Sequence, residues 1–221
     1  MRILLTGATG QIGDFLLPIL AKADHEAHAI SRRPQAVMEG VSWFQADLDK
    51  PGALAKAAKG CEAAIHMAPI WTLPPQLPSL ADAGVRRILA FSSTSRFGKR
   101  DSADPSERAV VNKLIQAEEA LIEYCGKRGL YWTLFRPTLI YGAGRDQNVT
   151  SIKRFVGRYG FFPIAGKGSG LRQPVHAADL AQACLDGTAA DWCIQIEMPG
   201  IFDRRRHRFG CGRRNGGARD E

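Results

Sequence analysis

The chain of 221 residues contains no run of eighteen apolar residues, so no segment is long enough to span a bilayer as a helix. It also lacks any Cys-x-x-Cys pair. Its five cysteines, Cys61, Cys125, Cys184, Cys193 and Cys211, are scattered. That pattern points to reduced thiols rather than a disulfide framework or a metal site, and no metal is expected. No internal repeat is visible. No secretory leader is read at the N-terminus, because Met1-Arg2 leads straight into an apolar strand. These absences predict a cytoplasmic protein with no membrane partner. The net charge of +8 suggests nucleic acid at first sight, but its distribution argues against that. Residues 201–221 alone hold seven arginines against three acids, half of the net charge. The remaining mildly basic body suits an anionic nucleotide, and no nucleic-acid partner is expected.

Hydrophobic residues make up 45% of the chain, enough for a real core, and the length suits one large domain or a domain plus a fragment. Apolar strand-like runs lie near 2–6, 26–30, 41–46, 62–67, 87–92 and 131–136. Helical patterns lie near 11–22, 52–59, 76–83 and 105–126, with Pro18 predicting a kink in the first. The alternation predicts a parallel sheet covered by helices. Beyond Arg136 the pattern becomes loops and short elements. Helices are expected over 148–157 and 177–186, and a last strand over 191–197.

The most informative stretch is Ile3-Leu4-Leu5-Thr6-Gly7-Ala8-Thr9-Gly10-Gln11-Ile12-Gly13. A strand, a glycine turn and a helix follow one another without a gap. Ile12, Phe15, Leu16, Ile19 and Leu20 then mark one helix face. Such a turn aims free N–H groups of the helix start at an anion, usually a dinucleotide pyrophosphate. Gly7 permits the tight turn, Gly10 permits close approach of the phosphate, and Gly13 lets helix and strand pack together.

The spacing Thr-Gly-x-x-Gly-x-x-Gly resembles the short-chain dehydrogenase/reductase superfamily in its extended, NAD-dependent epimerase/dehydratase-like branch. The resemblance covers roughly residues 1–200. It implies a Rossmann-type doubly wound parallel sheet with an abbreviated C-terminal substrate lobe, mainly within 140–200. It also implies cofactor contacts from Thr6, Gly7, Ala8, Thr9, Gly10, Gln11, Ile12 and Gly13. The segment between the fourth and fifth strands, with Pro69, Pro74, Pro75 and Pro78, is shorter than is usual in the branch.

The end of the second strand bears on the choice of dinucleotide. An acid there would bind the adenosine ribose of NAD. The chain instead reads Ser31-Arg32-Arg33, which suits a 2′-phosphate. The expected cofactor is NADP, with NAD as the alternative; the plainer reading of these residues is a solvated basic loop. By resemblance, Asp47 holds the adenine amino group and Leu48 covers the ring, although Asp47 also suits a helix start. His66-Met67-Ala68 resembles the His-Leu-Ala-Ala stretch of the branch. Met67 and Ala68 then pass beside the cofactor, and His66 reads as a packed histidine.

The superfamily works with a Ser or Thr and a Tyr-x-x-x-Lys pair, in which the tyrosine is the general base. Phe91-Ser92-Ser93-Thr94-Ser95-Arg96-Phe97-Gly98 resembles the serine segment, so Ser93, with Thr94 as fallback, takes the hydroxyl role. Lys113 stands where the lysine is expected and would clamp the nicotinamide ribose. Four residues earlier stands Ala109, which transfers no proton. The resemblance therefore supports nucleotide binding more firmly than catalysis. The leading reading is an oxidoreductase acting on a small carbonyl or sugar-nucleotide-type substrate. The alternative is a non-catalytic NADP-binding sensor.

Phe135-Arg136-Pro137-Thr138-Leu139-Ile140-Tyr141-Gly142 resembles the Arg-Pro-x-x-x-Tyr-Gly region of epimerases, which implies Pro137 and Thr138 beside the nicotinamide. Leu171-Arg172-Gln173-Pro174-Val175-His176-Ala177-Ala178-Asp179-Leu180 is a second matching block. Tyr141, Arg172 and His176 are the substrate candidates, and Asp179 reads as a helix-start acid. A homodimer is left open. After Met198-Pro199-Gly200 the chain turns arginine-rich with few apolar residues, so 201–221 is expected to be a disordered basic tail. A frame change in the coding DNA is one origin considered for it.

Overall fold

A computed structural model describes residues 1–146, 149–163, 173–190, 193–198 and 208–209. Its main sheet carries, in chain order, β1 (Arg2–Thr6), β2 (Glu26–Ser31), β3 (Val41–Gln45), β4 (Ala63–His66), β5 (Arg87–Phe91), β6 (Tyr131–Pro137), β9 (Cys193–Met198) and β10 (Arg208–Phe209). In space the order is β10-β9-β6-β5-β4-β1-β2-β3. All neighbours are parallel except β10, which runs antiparallel to β9. This is the Rossmann-type sheet expected. The strand order reverses between β1 and β4, and ligands of such sheets bind outside the strands' carboxyl ends at that point.

Helices cover both faces. On one face α1 (Gln11–Lys22) and α6 (Ala177–Thr188) bury Leu16, Leu20, Leu180 and Cys184 against Ile3, Leu5, Ile65 and Leu89. On the other, α2 (Leu77–Asp82) and α4 (Pro105–Arg128) bury Leu77, Leu80, Leu114 and Leu121 against Leu4, Ile88 and Leu134. The ends of α4 follow from local chemistry. Asp104 accepts a hydrogen bond from the Ser106 N–H at 2.8 Å, Pro105 opens the helix, and Gly129 closes it in the left-handed conformation. Helix α1 runs unbroken through Pro18, which faces outward.

Three further elements complete the described chain: α3 (Ser95–Gly98), α5 (Val149–Tyr159) and a small parallel pair of β7 (Leu139–Tyr141) with β8 (Pro174–His176). The helix expected over 52–59 is instead a series of turns, with bonds of mixed span from Ala55 N to Gly52 O and from Ala58 N to Leu54 O. Gly52 and Gly60 flank it, both at positive φ, so no continuous helix starts or continues through them. Its Leu54, Ala57 and Ala58 are still buried. Cys61, Cys125 and Cys184 are free and buried, but Cys193 is disulfide-bonded, which corrects the expectation of a reduced thiol there. Within the segment expected to be disordered, Arg208 and Phe209 pair with β9; the rest of 201–221 lies outside the described residues. No described helix is long and apolar enough to cross a membrane.

Candidate nucleotide site

The glycine turn sits at the carboxyl end of β1, next to the strand-order reversal. Gly7 has φ +69°, and a Cβ there would meet the Ala68 nitrogen and the Met67 carbonyl carbon at 2.7 Å. Only glycine fits, and the turn is thereby pressed against the Met67-Ala68 segment. A Cβ on Gly13 would lie 1.9 Å from the Ala8 carbonyl oxygen, so α1 reaches its close approach only without a side chain. Gly10 differs: its φ of −85° suits any residue, and a Cβ would lie 3.1 Å from the Gly7 carbonyl. No side chain caps this helix start. The first helical bond is Asp14 N–H to Gly10 O at 3.2 Å, which leaves the N–H groups of Gln11, Ile12 and Gly13 without intrahelical acceptors. A helix start with no side-chain cap, preceded by Gly10 and with three N–H groups lacking intrahelical acceptors, fits a pyrophosphate.

Thr6 is buried, and its hydroxyl pairs with His66 Nδ1 at 2.8 Å. The other ring nitrogen of His66 faces the Pro69 carbonyl at 3.2 Å and the Thr72 hydroxyl at 3.3 Å. Burial pushes the imidazole pKa down to about 4 despite the Pro69 carbonyl. His66 is thus a neutral strut between β1 and the turn after β4, as its packed reading implied.

At the adenosine end, Ser31 closes β2, and its hydroxyl accepts from Arg33 N at 3.2 Å and Gln35 Nε2 at 3.0 Å. Arg32 and Arg33 are exposed. Asp47 is exposed too, and its carboxylate accepts from Asp49 N at 3.2 Å. Leu48 is half-buried. Arg32 and Asp47 line one cavity of about 630 Å³ together with Gln45 and Lys50.

At the other end, Ser93 follows β5, and its hydroxyl donates to Ser95 Oγ while accepting from Ser95 N, both at 3.1 Å. Thr94 N–H donates to the Pro137 carbonyl at 3.3 Å, joining the ends of β5 and β6. Thr138 donates to the Gln173 carbonyl. Lys113 lies on the exposed side of α4 with its ammonium 5.8 Å from the Trp71 ring. No hydrogen bond joins it to Ser93 or Thr94 among the described residues, and Ala109 beside it is exposed.

Tyr141 and Phe15 flank His176, with ring centroids at 5.0 and 5.2 Å. His176 Nδ1 accepts from Ala178 N at 3.2 Å and so caps α6. Asp179 stands in the first turn of α6. Arg172 lies outside the described residues.

Two features escaped the sequence reading. Arg145, on the turn after β7, donates to the Thr9 carbonyl at 3.0 Å and to Asp14 at 2.9 Å, bracing the glycine turn. No local pattern marks a contact 136 residues apart in sequence. Glu118 is fully buried beneath the serine loop and accepts from Ser92, Arg96 and Arg136. Burial alone would push its carboxyl pKa up, but bonds from Arg136 and Ser92 and the charges of Arg136 and Arg96 hold it below the usual value. Here a signal existed: Glu118 interrupts the apolar stripe of Val111, Leu114, Leu121 and Cys125, where an acid needs a partner.

Known proteins share this frame. A protein of Mycobacterium tuberculosis, itself uncharacterized, is 26% identical over 220 residues, covering 96% of this chain. The chain spans only 23% of that relative's length. UDP-glucuronic acid 4-epimerase from Bacillus cereus, solved with NAD, superposes with a TM-score of 0.71 at 16% identity, over 90% of this chain and 77% of that one. Vestitone reductase from alfalfa gives a TM-score of 0.65 at 19% identity, over 89% and 76%. These likenesses carry the epimerase/reductase-like fold. The model of the NAD(P)H-binding family matches residues 7–186, and the chain belongs to that family.

Proposed function

We propose that the protein is an NADP-preferring, epimerase/dehydratase-like oxidoreductase for a small carbonyl or sugar-nucleotide-type substrate. The observation that carries the cofactor preference is the end of β2. Arg32 and Arg33 stand there exposed, without an ion-pair partner among the described residues, and no acid occupies the position that would bind a bare ribose. When bound, the dinucleotide supplies hydride transfer. The chain's own part is to hold the pyrophosphate at Gln11, Ile12 and Gly13, and a 2′-phosphate at Arg32 and Arg33. Ser93 at the end of β5 is the hydroxyl that orients a carbonyl oxygen. Solved neighbours include an epimerase with NAD and a reductase, which support this substrate range.

A second reading, a non-catalytic NADP-binding sensor, is favoured by one observation. Ala109 supplies no proton, and Lys113 rests against Trp71 rather than against the serine loop. Calorimetric titration with NADPH and NADH tests the cofactor assignment: NADPH binds more tightly, and replacing Arg32 and Arg33 by Ala erases most of the difference. Equal affinities in the unmutated protein overturn it. NADPH oxidation over a carbonyl and UDP-sugar panel separates the two readings. Turnover lost in Ser93→Ala supports the enzyme, and absence of turnover with intact NADPH binding supports the sensor.

A further inference from the structure

We infer that Lys50 is a specificity-determining residue for the phosphorylated cofactor, gripping the 2′-phosphate from the same cavity that Arg32 lines. The inference rests on the NADP reading above and extends it to a residue on a different strand end. The cavity of about 630 Å³ is lined by Arg32, Gln45, Ala46, Asp47 and the turn from Lys50 to Ala53. That volume is in the range of small-ligand sites. Its position is set by the sheet. β2 and β3 are the two strands beyond β1 on the side away from the reversal, so their carboxyl ends carry the adenosine half of a dinucleotide whose pyrophosphate sits at the glycine turn.

The backbone of Lys50 is fixed with unusual care. Gln76 is fully buried on the far side of the turn, and its Nε2 donates to the carbonyls of Lys50 at 2.7 Å and Leu48 at 2.8 Å. Lys50 N–H donates to the Asp47 carbonyl at 3.1 Å, and its carbonyl also accepts from Ala53 N at 3.2 Å. Pro51 follows directly and restricts the chain further. The side chain, in contrast, is exposed and makes no ion pair among the described residues. The nearby acid, Asp47, has its carboxylate turned back to Asp49 N. A rigidly based cation lining the same cavity as Arg32 suits a dianion, and the 2′-phosphate is the group that distinguishes NADP there.

The test uses the adenosine halves alone, 2′,5′-ADP and 5′-AMP, titrated calorimetrically into the whole protein and Lys50→Met. The lysine is exposed, and unchanged thermal melting verifies that the variant folds. The expected result is a loss of 2′,5′-ADP affinity on the order of tenfold or more, with 5′-AMP affinity unchanged. Equal weakening of both probes overturns the inference, because Lys50 then serves the common part of the ligand. Unchanged 2′,5′-ADP affinity in Lys50→Met, with a loss in Arg32→Ala, also overturns it and leaves the NADP reading standing. If the unmutated protein binds both probes equally, the NADP reading itself fails and the inference falls with it.

Discussion

Replacing Glu118 by leucine removes the anion from the most deeply buried charge cluster described in the chain. Arg136, 2% exposed, would keep its charge but lose its bidentate partner, retaining the Gln195 amide oxygen at 2.9 Å. The Ser92 hydroxyl would lose its acceptor as well. Breaking a buried pair by removing one partner costs about 3–5 kcal/mol. In a domain of this size that is a fall in Tm of roughly 6–20 °C. Urea denaturation measures it directly as a shifted midpoint at unchanged slope. The companion is the double variant Glu118→Leu/Arg136→Met. It removes both members of the Glu118–Arg136 pair, and its cost falls well below the sum of the two single costs, because neither charge of that pair is left buried without the other, and Arg96 is partly exposed to solvent. A single Glu118→Leu variant costing under about 1 kcal/mol, or strictly additive costs in the double variant, would refute the reasoning.

Gly13→Ala sets a methyl group 1.9 Å from the Ala8 carbonyl oxygen, so it destabilises the fold by about 3 kcal/mol or more in urea titrations. A cost near zero would mean that α1 does not pack as described. His66 titrates at about 4 in the folded chain against an ordinary value near 6.5. The unfolded chain therefore takes up the proton first on acidification. Stability is complete above about pH 6.5 and falls as the pH drops toward 4, by about 2 kcal/mol at pH 5. The same fall in a His66→Asn variant would locate the effect elsewhere. For catalysis, turnover with Ala109 in place is slower by about 10²–10⁴-fold than a positioned acid or base would allow, and Ala109→Tyr raises it. Brisk NADPH oxidation insensitive to both Ser93→Ala and Lys113→Ala would show that another group does the chemistry.

The strands and the long helices were legible because their signals are local. β1 to β6 fall where apolar runs fall, and α4 begins at Asp104-Pro105 and ends at Gly129, residues whose chemistry alone places a helix boundary. The segment 52–59 misled because its alanines and lysines favour a helix, while the two flanking glycines set the backbone against one. Within the glycine turn, the tight turn at Gly7 and the close packing at Gly13 were legible, since a missing Cβ is a property of the residue itself, whereas the backbone at Gly10 accepts any residue. What stayed hidden depends on distant partners. Arg145 acts at Thr9, Gln76 acts at Lys50, and Lys113 meets Trp71, and none of these pairings leaves a trace in spacing.

The helix start at Gln11 to Gly13 is the proposed dinucleotide site. It is tested most directly by titrating NADPH into the unmutated protein and into Gly10→Val. The φ of Gly10 accepts a side chain, and only the Gly7 carbonyl, 3.1 Å from the new Cβ, has to give slightly, so the variant keeps its fold by circular dichroism. Its side chain nonetheless fills the space over the free N–H groups. The expected result is NADPH binding in the unmutated protein and its loss in folded Gly10→Val. Unchanged affinity in the folded variant would contradict it and place the ligand elsewhere.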